Sequence, residues 1–173
     1  MDLYVAAERL MAMDDATWRR HANPWSAWTR FSVLPLLAAA LWSRAALGWW
    51  ALVPVALVLV WAFINPRLFQ EPDDFGAWAS RGVLGERVFL DRGNRSINPA
   101  HLRAAHMLTV ISAIGIVPFA IGLWTYDLSS TVLGIVLMTG AKMWFVDRMV
   151  WIHVDATGVP LGEPLSNPVL EAA

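Results

Sequence analysis

Between Phe31 and Ile64 the chain runs 34 residues with a single charged side chain, Arg44. As one straight helix, at about 1.5 Å per residue, that block would reach roughly 51 Å, far beyond the roughly 30 Å hydrocarbon core of a bilayer. It must therefore fold back, with the reversal expected around residues 44–49. A second apolar block, residues 107–145, carries only Asp127 and Lys142 and has its natural reversal around residues 125–129. The fold class predicted is all-α: a polytopic membrane protein with four transmembrane helices arranged as two helical hairpins, plus interfacial helices.

Composition agrees with that reading. Apolar residues make up 57% of the chain and charged residues 16%, against roughly 25% charged residues in soluble domains. There is no cysteine, which excludes disulfides, thiolate nucleophiles, iron–sulfur clusters and thiolate zinc sites. The first 30 residues have no uninterrupted apolar run, so no cleavable signal peptide is expected and the apolar blocks direct insertion. A net charge of −1 points away from a nucleic-acid partner.

Twelve arginines stand against the single Lys142, and their distribution is informative. Arg9, Arg19, Arg20 and Arg30 precede the first block; Arg67, Arg81, Arg87, Arg92, Arg95 and Arg103 lie between the two. By the positive-inside rule both termini and the central loop are cytoplasmic, and the hairpin tips face outward. The chain divides into a cytoplasmic amphipathic segment (1–30), hairpin 1 (31–64), a cytoplasmic interfacial loop (65–105), hairpin 2 (106–146), and an interfacial helix end with a disordered tail (147–173).

Within the first segment, residues 2–12 have helical apolar spacing, and Asp14 or Asp15 is placed to cap a short helix carrying Trp18 that Asn23-Pro24 ends. Trp18, Trp25 and Trp28 alternate with Arg19, Arg20 and Arg30, as in a segment lying among headgroups. The arms of hairpin 1 are short, about 24 Å each, so the first crossing begins nearer Trp25 with Arg30 snorkelling, or the bilayer thins. Pro35, Pro54 and Pro118 each remove a backbone donor within an arm. Ser112, Gly115, Ser130 and Gly134 suit close helix approach. In the central loop Gly76, Gly82, Gly85 and Gly93 argue against one long helix and form no phosphate-binding pattern. Trp78, Val83, Leu84 and residues 88–90 are apolar anchors, expected to lay the loop on the membrane against anionic headgroups or a partner.

Candidate functional residues gather at the cytoplasmic rim: His21, Arg30, Asn65, Arg67, Lys142, Asp147 and Arg148. Lys142 would lie roughly 20 Å in from the outer surface, either snorkelling or facing the bundle interior to pair with a carboxylate or an acidic lipid or cofactor group. Arg67 and Asp147 emerge at one depth and are expected to pair; Trp144 and Arg148 are four apart, within reach of a cation–π contact. The topology brings all four histidines to the same side. An alternative metal set, His21, His106, His153 and Asp147, would suit non-haem iron or zinc, although His101 and His106 are about 140° apart around one helix. No Ser-His-Asp order, nucleophile elbow or HExxH is present, and the crossings lack the carboxylates of an ion pathway.

Four segments, WRRHANPWSAWTR (18–30), NPRLF (65–69), RGVLGER (81–87) and WFVDR (144–148), together resemble a family of small prokaryotic membrane proteins classed as a domain of unknown function, over about residues 10–155. That resemblance implies a membrane protein and no particular activity. His21, Asn23, Pro24 and Pro35 also resemble the His-x-Asn-Pro entry to the first helix of the membrane-bound 2-hydroxy-fatty-acid dioxygenase family, which implies histidine-held non-haem iron. That family's next histidine falls where this chain has Arg30, which cannot bind metal.

The leading expectation is an accessory, assembly or scaffold subunit with no recognisable catalytic site and no cofactor. The alternatives are a lipid-active metalloenzyme at the cytoplasmic face and a lipid or small-solute carrier. Expected partners are membrane lipids and proteins in the membrane, a second copy of this chain included.

Overall fold

The structure is a computed structural model and describes residues 10, 11 and 13–166. The helix expected over residues 2–12 lies outside the described residues but for Leu10 and Met11. The described residues are all-α: α1 (Asp15–His21), α2 (Pro24–Arg30), α3 (Val33–Trp42), α4 (Arg44–Leu47), a 3₁₀ turn (Gly48–Ala51), α5 (Leu52–Leu68), α6 (Trp78–Leu90), α7 (Pro99–Thr125) and α8 (Leu128–Thr157). Among them three stretches are long and apolar enough to cross a membrane: Pro24–Leu68, Pro99–Thr125 and Leu128–Thr157. Their outer faces expose Leu57, Val60, Ile114, Val117, Leu133 and Val136, surface that water would penalise and lipid would not.

Capping chemistry explains the helix starts. The Asp14 carboxylate accepts from the Thr17 backbone N–H at 2.8 Å and opens α1. Asn23 caps α2 through the Trp25 N–H and Asn98 caps α7 through the Ala100 N–H, each followed by proline in the first turn, where its missing donor costs nothing. Pro35 and Pro54 also fall in first turns, so neither breaks a hydrogen bond; Pro118 is the one of the three that sits in a helix interior.

α3 packs on α5, and α7 packs along α8 as the most extensive helix pair. Glycine makes the second contact possible. A Cβ on Gly134 would strike the backbone of Phe119, and one on Gly122 would strike Thr131, so the small-residue pattern marks a real packing face. At the far end from α1, Arg44 donates to the carbonyls of Leu123 and Trp124, where α7 ends, and lies 4.2 Å from the centre of the Tyr126 ring. A cation there also meets the negative end of the α7 dipole.

Two parts of the chain differ from expectation. The central loop contains a 13-residue helix, α6, whose Ser80, Arg81, Leu84 and Phe89 are fully buried. Its apolar anchors therefore pack on protein rather than on the membrane surface. Gly82 and Gly85 are helical because they let α6 approach α8: a Cβ at Gly82 would meet Val146, and one at Gly85 would collide with the Met149 backbone. The tail is not loose as far as Ser166. Phe75 N–H donates to Leu165 O at 2.9 Å, Arg81 donates to the carbonyls of Val159 (2.7 Å) and Glu163 (2.8 Å), and Leu165 is buried.

Candidate functional site

α1, α2, α6 and α8 supply most of the lining of an open-sided cavity of about 510 Å³. Its walls are largely apolar and aromatic: Trp18 from α1, Trp28 from α2 and Trp78 from α6, with Phe31 and Leu34 beyond. Trp28 and Trp78 stack with ring centres 5.5 Å apart. Ser112, Met138 and Thr139 line the deeper part, some 13 residues, or about 20 Å, from the end of α7. The cavity thus runs from the Trp- and Arg-rich end to the middle of the long apolar helices α7 and α8.

Among the described residues four ionisable side chains line it: His21, Arg30, Glu86 and Lys142. Lys142 Nζ meets Glu86 Oε1 at 3.0 Å and sits 4.6 Å from the centre of the Phe145 ring. Burial pushes the Glu86 carboxyl up, but the charge and hydrogen bond of Lys142 outweigh it and hold it below the usual carboxylate range. Arg30 has no hydrogen bond or ion pair among the described residues. With Glu86 and Lys142 cancelling and His21 neutral, the described residues give the cavity one net positive charge, on Arg30.

His21 is held neutral by its surroundings. Burial first, and the Arg30 charge second, push its pKa from 6.5 to about 3, with Glu86 opposing. Behind it runs a polar chain: His21 Nδ1 lies 2.8 Å from Ser26 Oγ, Ser26 donates to Asn65 Oδ1 at 3.2 Å, and Asn65 Nδ2 donates to Thr29 Oγ1 at 2.9 Å. Asn65 and Ser26 are fully buried, so each needs these partners.

A pH dependence follows from the depressed pKa. Above pH 6.5 His21 is neutral folded or unfolded and contributes nothing. As pH falls below 6.5 the unfolded chain takes up a proton that the folded protein refuses, so stability is lost progressively down to about pH 3. Between about pH 7 and pH 5, above carboxylate titration, His21 should cost about 2 kcal/mol. Thermal unfolding in detergent at the two pH values checks this, and His21→Asn should remove that part of the slope.

The structure thus brings together three of the residues singled out by sequence, His21, Arg30 and Lys142, with Asn65 directly behind. The expected Arg67–Asp147 pair does not form. Arg67 donates to Phe63 O (2.7 Å) and Met11 O (2.6 Å), whereas Asp147 accepts from Trp78 Nε1 at 3.2 Å and pairs with Arg148 at 2.6 Å. Equal depth does not place two side chains at the same angle around the bundle. Asp147 instead orients a wall of the cavity, and Arg148 is turned to it rather than to Trp144. Glu86 was missed, because a glutamate between glycine and arginine reads as solvated; Gly82 and Gly85, spaced to seat a helix, were the available signal.

The alternative metal set is dispersed. His21 is bound to Ser26, His106 faces the Phe89 ring at 6.4 Å, His153 is buried within range of the Arg81 charge, and His101 meets Asp155 at 3.2 Å. Among the described residues no three His, Cys, Asp or Glu side chains are grouped so as to hold a metal ion. The described residues thus do not form a ligand set that fits the iron implied by the dioxygenase resemblance, and no chemistry is derived through it.

Described residues that are all-α, with three stretches long and apolar enough to cross a membrane, place the chain in the class of helical membrane proteins. Residues 6–168 match the family of unknown function DUF6653, and the chain belongs to that family. No curated protein and no solved structure matches it.

Proposed function

We propose that this is a four-crossing protein of the prokaryotic inner membrane, two helical hairpins with both termini and α6 on the cytoplasmic side, that binds an acidic amphipath in the α1–α2–α6–α8 cavity. The contact of α3 with α5 supports a reversal near Gly48, and α2 followed by α3 supplies 19 residues, Pro24 to Trp42, or about 28 Å of first crossing. The arginine distribution supports the orientation.

The observation that carries the binding reading is Arg30: a guanidinium without a partner among the described residues, lining a 510 Å³ cavity with aromatic walls. A buried-facing cation costs free energy unless paired. An acid group on an apolar chain supplies the counter-charge while its tail fills the deeper cavity near Ser112 and Met138.

Purified protein, stripped of lipid and titrated with dioleoyl phosphatidylmethanol in detergent, should bind one molecule by native mass spectrometry. Arg30→Gln should weaken that binding about 10- to 30-fold, the loss of a charge-assisted contact of about 1.5–2 kcal/mol. An unchanged affinity in Arg30→Gln would overturn the assignment.

A further inference from the structure

The polar chain behind His21 fixes which of its nitrogens carries the proton. Thr29 Oγ1 lies 2.6 Å from the backbone carbonyl of Trp25, an obligate acceptor, so the threonine hydroxyl donates there. It must then accept from the Asn65 amide, which turns the Asn65 oxygen towards Ser26. Ser26 spends its only proton on that oxygen. Its remaining contact, His21 Nδ1 at 2.8 Å, is satisfied only if Nδ1–H is the donor. A neutral ring protonated at Nδ1 presents a bare lone pair at Nε2. That atom has no hydrogen-bond partner among the described residues, and the ring that carries it lines the cavity.

The cavity therefore offers a cation and, beside it, a neutral hydrogen-bond acceptor. A carboxylate or a bare phosphodiester would satisfy Arg30 and leave Nε2 unused, even repelled by nearby oxygen lone pairs. An ammonium headgroup would serve as a donor, but it would sit against Arg30 and Lys142, and the Glu86 carboxylate that might neutralise it is already held by Lys142 at 3.0 Å. A hydroxyl is the donor that adds no charge.

We propose that the cavity recognises an acidic phospholipid whose headgroup carries a free hydroxyl, a phosphodiester of a polyol, with Arg30 on the phosphate and His21 Nε2 accepting from the hydroxyl. The proposal rests on the amphipath-binding reading and adds the class of headgroup. It makes His21 a specificity residue, positioned by Ser26, Asn65 and Thr29.

The test compares dioleoyl phosphatidylglycerol with dioleoyl phosphatidylmethanol, which match in charge and chains and differ in the headgroup hydroxyls, bound to the full-length protein by native mass spectrometry. Phosphatidylglycerol should bind about tenfold more tightly. His21→Asn, whose side-chain amide can still donate to Ser26 but has nothing at the Nε2 position, should bring the two lipids to equal affinity without weakening phosphatidylmethanol. Equal affinities in the unmodified protein, a preference that survives in His21→Asn, or tighter binding of phosphatidylethanolamine would each overturn the proposal while leaving the amphipath reading intact. Failure of every acidic lipid to bind, or full competition by chain-free glycerophosphoglycerol, would overturn both. Should His21→Asn fail to fold, the two-lipid comparison on the unmodified protein decides alone.

Discussion

Gly85→Val is expected to prevent α6 from seating on α8 and to leave little folded protein. The added Cβ would collide with the backbone of Met149, not with a flexible side-chain end, so neither rotamer change nor small repacking relieves it. Overpacking a core typically costs about 1–3 kcal/mol; with backbone on both sides the cost should reach at least about 3 kcal/mol. That is a large share of the roughly 5–15 kcal/mol by which a domain is stable. The damage spreads because α6 carries Phe89 into the cluster of Phe145, Met149 and Leu108, and Leu84 into the cluster of Trp18 and Phe75. Gly140→Ala is the control: nothing lies within 4 Å of the Cβ it would add, and alanine is the better helix former. Tryptophan-fluorescence melting in detergent should show Gly140→Ala at or above the unmodified protein and Gly85→Val without a cooperative transition. A normal melting temperature for Gly85→Val would mean that the two helices are not in backbone contact.

The same glycine shows where sequence reasoning stops. The apolar blocks were legible because membrane insertion depends on composition over 20 residues, which needs no knowledge of neighbours. The helix start at Asp14 was signalled by chemistry acting over three residues, whereas Asn23, read as the end of one helix, also opens the next. Lys142 stood out for a similar reason, as the one lysine in an apolar stretch, and it does face a carboxylate. Which carboxylate was not legible. Glu86 reaches Lys142 only because Gly82 and Gly85 draw α6 against α8, a contact 56 positions apart in the chain. Glycine in an isolated segment disfavours helix by about 1 kcal/mol; here the burial that its small size permits reverses that preference. Arg81, counted in the sequence only as one of the central-loop arginines, is fully buried and ties down Val159 and Glu163. Partners at such separations are set by packing, which no local pattern encodes.

Asn65→Ala should destabilise the protein by about 2–4 kcal/mol and also change the chemistry of the cavity. Asn65 is fully buried and joins α5 to α2 through Ser26 and Thr29. Truncation removes two hydrogen bonds and opens a small void at a fully buried site. At about 1 kcal/mol for each lost bond and about 1 kcal/mol for the void, those terms reach the stated range. The second effect concerns the proton of Ser26. Once Asn65 Oδ1 is gone, the nearest acceptor for that hydroxyl is His21 Nδ1, at 2.8 Å. Ser26 then donates to Nδ1, and the ring must carry its own proton at Nε2 instead. The nitrogen facing the cavity changes from acceptor to donor without any change in charge. Histidine ¹⁵N chemical shifts, which distinguish the two tautomers, should report the Nδ1–H form in the unmodified protein and the Nε2–H form in Asn65→Ala. The variant should also lose its preference for phosphatidylglycerol over phosphatidylmethanol while still binding both, since Arg30 is untouched. Retention of the Nδ1–H form in Asn65→Ala would show that the ring's proton is set by something other than the relay from Trp25 through Thr29, Asn65 and Ser26.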